Sequence, residues 1–207
     1  MRQAVSRELY EYWDRLRAGR AAPDRSQIDP AQIRGVLADT FLLEVDPERS
    51  FPIRLSGART SALFGTELKG SRFMHLWAEK DRVAVNQMLA CIIDEPAPAV
   101  AGVTAAPAGR TPLDLELLLL PLRHHGKTHA RILGSLAPAN IPSWFGLIPA
   151  ETLGLSSLRI LADPGLRKVA GLFAPGRAAA HSGTGPRISR HGHLTLYENP
   201  AINSAPR

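Results

Sequence analysis

Apolar residues recur at two different periods along this chain, and the switches between them mark its elements. Val5, Leu9, Tyr12, Trp13 and Leu16 fall on one stripe at helical spacing, with Glu8, Glu11, Asp14, Arg15 and Arg17 on the other face. This predicts an amphipathic N-terminal helix that stops near Gly19. A short helix is expected next: Asp29 can cap it, Pro30 suits its first turn, and Ile33, Val36 and Leu37 face inward. The period then drops to two. Phe41, Leu43 and Val45 alternate with more polar neighbours, Asp46-Pro47-Glu48-Arg49 reads as a turn, and Phe51, Ile53 and Leu55 alternate again until Gly57. That is a β-hairpin pattern.

Helical spacing returns in short pieces. Thr60 to Phe64 makes a turn or two and stops at Gly65, and Phe73, Met74, Leu76 and Trp77 follow Gly70. Asp81 opens a longer helix, favourably placed for the helix dipole, with Val85, Met88, Leu89 and Ile92 as its stripe and Pro96 and Pro98 beyond its end. Three strands are read after it, at 99–106, 113–120 and 129–137, the last two joined by the turn His124-His125-Gly126-Lys127. In the strongest, Leu113, Leu115, Leu117 and Leu119 share one face, while the other changes from Asp114 and Glu116 to Leu118 and Leu120. The far half of this strand is therefore expected to be covered on both sides, with the N-terminal helix as the cover. The reading is an α+β fold: a five-stranded antiparallel sheet with helices over one face, and an amphipathic N-terminal helix.

Past Ala139 the pattern weakens. Residues 1–139 are read as one domain and 140–207 as a low-complexity basic tail with short docking elements at 152–161 and 193–197. Residues 152–161 suit a short helix or a strand, and 193–197 alternate like a short strand. Residues 174–193 are rich in Gly, Ala, Ser and Arg without an apolar period, which predicts disorder and makes the tail largely disordered.

Charge sharpens this division. Of the net +6, residues 1–139 carry 18 Lys and Arg against 16 Asp and Glu, and residues 140–207 carry 7 against 3. No dense basic stripe with interleaved aromatics accompanies the excess, so a nucleic-acid partner is disfavoured, although a regulator weakly associated with nucleic acid through the basic tail stays as an alternative. No apolar run approaches the roughly 20 residues of a membrane span. The charged N-terminus lacks the apolar core of a secretory signal, so a cytoplasmic location is expected. Cys91, the lone cysteine, excludes an internal disulfide and a thiolate metal site.

Three stretches carry a family resemblance. LYEYWDRLRAGRAAPDRSQIDPAQIRGVLADTFLLEVD (9–46), FPIRLSGARTSALFGTELKGSRFMHLW (51–77) and LELLLLPLRHHGKTHARILGSLAP (115–138) resemble a PAS-like family of small stand-alone proteins in alphaproteobacteria. The resemblance spans residues 7–138 almost without gaps. It implies the PAS fold and a sensory or adaptor role in signalling, as in cell-cycle or motility control, without catalysis.

PAS domains use the hollow between sheet and helices for haem, flavin, small metabolites or nothing, and each option demands particular residues. Covalently reacting flavin needs a cysteine in a motif resembling NCRFLQ, but the corresponding Gly70-Ser71-Arg72-Phe73-Met74-His75-Leu76 has none. Haem-binding members place an axial histidine on the long helix; residues 81–95 contain none, and His75 lies just before them. Both cofactors are therefore disfavoured and the cofactor stays unknown. His124, His125 and His129 around a turn, and His191 and His193 in the tail, lack the clustering of a metal site, so no metal is assigned. No phosphate loop or nucleophile motif occurs, and no catalytic residue is assigned.

The ligand-pocket candidates are Arg59, Phe73, Trp77, Met88, Leu89, Ile92, Leu115, Leu117 and Ile132. Arg59 suits either a ligand carboxylate or phosphate, or an ion pair with Glu44 or Asp39. The apolar candidates either line a pocket or fill the core, and the filled alternative is a protein–protein interaction module without a ligand. Leu9, Tyr12, Trp13 and Leu16 are candidates for a homodimer or signalling-partner interface, since their stripe must be buried either on the chain's own sheet or against a second copy.

Overall fold

The computed structural model describes residues 1–94, 96–124, 127–161, 187–191 and 194–198. The first helix, α1 (Ala4–Arg17), realises the predicted stripe. It ends where Ala18 and Gly19 take positive φ of 49° and 77°, with the Ala18 N–H donating to the Asp14 carbonyl. Three 3-10 turns follow, Arg25–Gln27, Pro30–Ile33 and Leu37–Asp39. Asp24 and Asp29 cap the first two by accepting from the Ser26 and Ala31 amides. The helix expected at Pro30 is thus a short 3-10 turn inside an irregular strap.

The remaining elements are β1 (Thr40–Glu44), β2 (Ile53–Ser56), α2 (Ala58–Phe64), a 3-10 turn at Phe73–Leu76, α3 (Glu79–Asp94), β3 (Ala99–Pro107), β4 (Leu113–His124), β5 (Lys127–Pro138), β6 (Ala150–Ile160), β7 (Arg187–His191) and β8 (Leu194–Glu198). They form one sheet in the order β2-β1-β5-β4-β3-β6-β8-β7. The pairings are antiparallel.

The sheet extends past the expected boundary at residue 139. β6 pairs with β3 along its whole length, and Leu153 is fully buried, so 152–161 is a strand of the domain and not a docking element of a tail. The sequence hid this strand behind an irregularity. Gly102 pairs with Ser157 and Val103 with Leu155, leaving Ser156 as an extra residue. Such a bulge shifts the side-chain phase by one. Leu153 and Leu155 therefore share a core with Leu158, three residues on, and a strict period of two fails. The strand expected at 193–197 is β8. Residues 162–186, 192, 193 and 199–207 lie outside the described residues, and with them most of the stretch expected to be disordered.

Each face of the sheet has its own core. On the inner face, α2 and α3 cover Phe41 and Leu43 of β1, Leu115, Leu117 and Leu119 of β4, and Ile132 of β5. On the outer face, α1 covers Leu42 of β1, Leu118, Leu120 and Leu122 of β4, and Leu133 of β5. The two-sided burial predicted for the far half of β4 is what the fold has, with α1 as the cover. Burying a large apolar side chain is worth about 1.5–3 kcal/mol, so β4 contributes to both cores at once. The inner face is tight enough to require a glycine: a Cβ on Gly134 would stand 2.2 Å from the Phe41 ring.

Candidate functional site

The inner chamber brings together nearly all of the pocket candidates. Phe73, Trp77, Met88, Leu89, Ile92, Leu117 and Ile132 are each at most 2% exposed, Leu115 is 5% exposed, and all belong to one cluster. They reach it from separate elements. The Phe73–Leu76 turn supplies Phe73, and Trp77 follows it directly. The α3 stripe supplies Met88, Leu89 and Ile92, and the odd positions of β4 supply Leu115 and Leu117. Phe73 stacks on Phe41 at 5.5 Å and meets Trp77 edge-on at 5.8 Å. Each aromatic pair adds about 0.5–1.5 kcal/mol to simple burial. Asp81, at the start of α3, accepts a 3.2 Å hydrogen bond from the Leu155 amide and ties α3 to β6.

Arg59 stands apart from this cluster. Its guanidinium pairs with Asp39, whose carboxylate is fully buried. The ion pair, one of the two roles weighed for Arg59, is the one formed. Among the described residues, the buried polar atoms without a hydrogen-bond partner include Asp39 Oδ1, the Thr60 hydroxyl and the Trp77 indole N–H. An orphaned buried donor costs about 1–3 kcal/mol. Of these three, the Trp77 indole belongs to the inner apolar cluster. His75 is exposed on its turn. Among the described residues no cluster of His, Cys, Asp and Glu has metal-ligating spacing.

On the outer face, Leu9, Tyr12 and Trp13 are at most 3% exposed, and Leu16 packs at the edge of the same cluster. The stripe offered as a partner interface faces the chain's own sheet. Trp13 donates its indole N–H to the Pro121 carbonyl at 2.8 Å, and Arg17 lies over its ring at 5.2 Å. The Tyr12 hydroxyl accepts from the Asp29 amide at 2.7 Å, pinning the 3-10 strap to the helix. Glu116 accepts from the Arg2 and Gln3 amides at 2.6 and 3.1 Å, at the N-terminal end of α1. Two copies can pair through this stripe only after α1 leaves the sheet.

Of the nine pocket candidates, only Leu115 lines any of four cavities formed by the described residues. Two of the four are adjacent and lie on the outer face, between the 3-10 strap and the β1–β2 edge. They hold about 420 and 740 Å³ and share Arg25, Leu42 and Leu55. Sequence reasoning missed this groove. The available signal was that Leu42, Leu122 and Leu133 are apolar at strand positions that alternate with residues already assigned to the inner core.

An antiparallel sheet with short helices and a longer helix on one face and an amphipathic N-terminal helix on the other is the build of a PAS-type domain. The chain belongs to the PAS domain family, whose model matches residues 1–137. Solved structures similar to it include the Rhodobacter sphaeroides LOV protein, at 14% identity and a TM-score of 0.42, covering 56% of this chain and 71% of that one. A substituted form of RsLOV is similar at 14% identity and a TM-score of 0.42, covering 52% of this chain and 63% of that one. No curated protein matches the chain. Among the described residues, no helix is long and apolar enough to cross a membrane.

Proposed function

We propose that this PAS domain is a non-catalytic sensory or adaptor module of bacterial signalling, of the cytoplasmic, stand-alone alphaproteobacterial kind. A small ligand or a protein partner prefers one of its conformers, and the bound population shifts toward that conformer. The output element is α1. The observation that carries this reading is the docking of α1 on the outer face: one short amphipathic helix, whose stripe is buried on the sheet, screens three leucines of β4. A helix of 14 residues is marginal in water by itself, so its position depends on what it packs against. A partner, or a second copy, that binds the stripe or the uncovered leucines competes directly with the docked state.

The test is hydrogen–deuterium exchange across residues 4–17 of the full chain, combined with native mass spectrometry of the same preparation. A bound molecule or partner seen by mass should change exchange in α1. The reading fails if α1 exchanges identically in the free and bound species.

A second reading has its own support. The inner candidates pack on one another as a filled core, with Met88, Leu89 and Leu117 no more than 1% exposed. On that reading the protein is an interaction module with a filled core and no ligand. Mass spectrometry separates the two, because a stoichiometric small molecule retained by the purified protein contradicts it.

A further inference from the structure

The outer groove has the make-up of a small-molecule site, and nothing in the inner chamber accounts for it. Its deeper part, about 420 Å³, runs under the 3-10 strap. Ile28 and Ile33 come from the strap, Leu42, Leu122 and Leu133 from the sheet, and Leu55 from the edge strand. That volume lies in the range of about 300–1,000 Å³ typical of pockets for small organic ligands. Leu55 is 52% exposed although its neighbours are buried, so the apolar lining reaches solvent at the edge of the sheet. The adjoining part, about 740 Å³, is lined by Arg25, Arg54, Arg131, His124 and Asp24.

The charges there are unequal in their commitments. Arg54 and Arg131 both bind Glu44, the latter at 2.9 Å. Asp24 caps the first 3-10 turn through the Ser26 amide and hydroxyl at 3.1 and 3.0 Å. Arg25 lines both parts of the groove and makes no side-chain hydrogen bond or ion pair among the described residues. A guanidinium matches a carboxylate by forming two parallel hydrogen bonds. With Arg54 and Arg131 engaged by Glu44 and the Asp24 carboxylate in the lining, a single uncommitted cation favours a monoanion over a doubly charged phosphate.

We propose that this groove binds a medium-chain carboxylate, its hydrocarbon chain lying between Ile33, Leu42, Leu122 and Leu133 and its carboxylate on Arg25. This supplies a ligand class for the sensory reading; it rests on that reading for its purpose, while the binding itself does not depend on α1.

The experiment is calorimetric titration of the full chain with hexanoate, octanoate and decanoate below their micelle thresholds, with decanol as the uncharged control. One saturable site is expected, with affinity rising roughly fourfold per methylene, the value of about 0.8 kcal/mol for each buried CH2. Arg25→Gln should weaken decanoate at least tenfold and leave decanol unchanged. Leu55→Glu, at an exposed position that the fold tolerates, should weaken both. Arg110→Gln, in the β3–β4 turn, should bind like the parent. The proposal is overturned if decanoate does not bind, if Arg25→Gln binds it as well as the parent, or if Arg110→Gln loses as much. It is also overturned if sedimentation shows a parent dimer that Leu55→Glu dissolves, because a second copy then fills the groove. Deuterium uptake of α1 in the same samples judges the sensory reading separately: an unchanged helix in decanoate-bound protein leaves the site standing and removes the output through α1.

Discussion

The two faces of the sheet are built from the same strands but closed in different ways. The inner face is closed by α2, α3 and an aromatic group in which Phe41, Phe73 and Trp77 touch in series. The outer face is closed by one helix and a strap of 3-10 turns, and a groove remains where the strap bridges to the edge strands. Regular helices pack their ridges against a sheet with few gaps, whereas 3-10 turns present side chains at irregular intervals. The difference teaches that the groove of this PAS domain lies under the irregular strap and at the sheet edge, beyond the part of the outer face that α1 covers.

The strongest way to break the comparison is to remove one large side chain from each face. Trp13→Ala and Trp77→Ala should each cost about 3–5 kcal/mol in urea unfolding, since both are essentially inaccessible. A loss below 1 kcal/mol for Trp13→Ala, with melting and sedimentation unchanged, would make α1 a loose appendage and the outer face no core at all. Leucine truncations on β4 test the same equality at a smaller scale. Leu118→Ala on the outer face should cost as much as Leu117→Ala on the inner, about 2–5 kcal/mol each, because both leucines are no more than 1% exposed.

The indoles sharpen the contrast further. Trp13→Phe strips the Pro121 carbonyl of its donor, whereas Trp77→Phe removes an N–H that has no partner. Leaving a buried acceptor unpaired costs about 1–3 kcal/mol, so Trp13→Phe should be the more destabilising of the two by about that amount. Equal melting shifts would show that Trp77 does have a hydrogen-bond acceptor in solution, as a bound guest would supply.

The smallest expected effect lies at the rim of the groove. Burial of Glu44 by itself raises its pKa, but hydrogen bonds from Arg131 and Arg54 outweigh it and hold the carboxyl below the ordinary 4.5. A carboxyl whose folded value is depressed stabilises the protein fully above the unfolded value, and that contribution is lost as pH falls through the folded one. Stability should therefore fall below about pH 4.5, and Glu44→Gln should flatten part of that decline, by about 0–1 kcal/mol for a partly exposed pair. An acid limb unchanged in Glu44→Gln would remove this ion pair from the account.

Much of this architecture was legible because it rests on periodicity. The stripe of α1, the stripe of α3 and the change of character along β4 are local patterns, and each follows from 3.6 or two residues per repeat. The same alternation that placed Leu118 and Leu120 opposite Leu117 and Leu119 also required a second cover and pointed to α1. β6 was not legible as part of the sheet because one extra residue at Ser156 broke its phase. The groove was not legible because no local pattern marks it: Arg25, Leu42, Leu55 and Leu133 come from four separate segments.

The sequence by itself determined which residues must be buried and in what local geometry, since apolar spacing acts over a few residues of chain. For Arg59, whose partner no local pattern fixes, the fold supplies Asp39. Only the tertiary structure decided where each buried stripe packs within the chain: α1 on its own sheet, the aromatic candidates against one another, and Arg25 beside an apolar groove with no ion pair among the described residues. Such choices depend on shapes assembled from segments over 100 residues apart, as between Trp13 and Pro121, and volume left over between them is a property of the whole packing that no stretch of chain encodes alone.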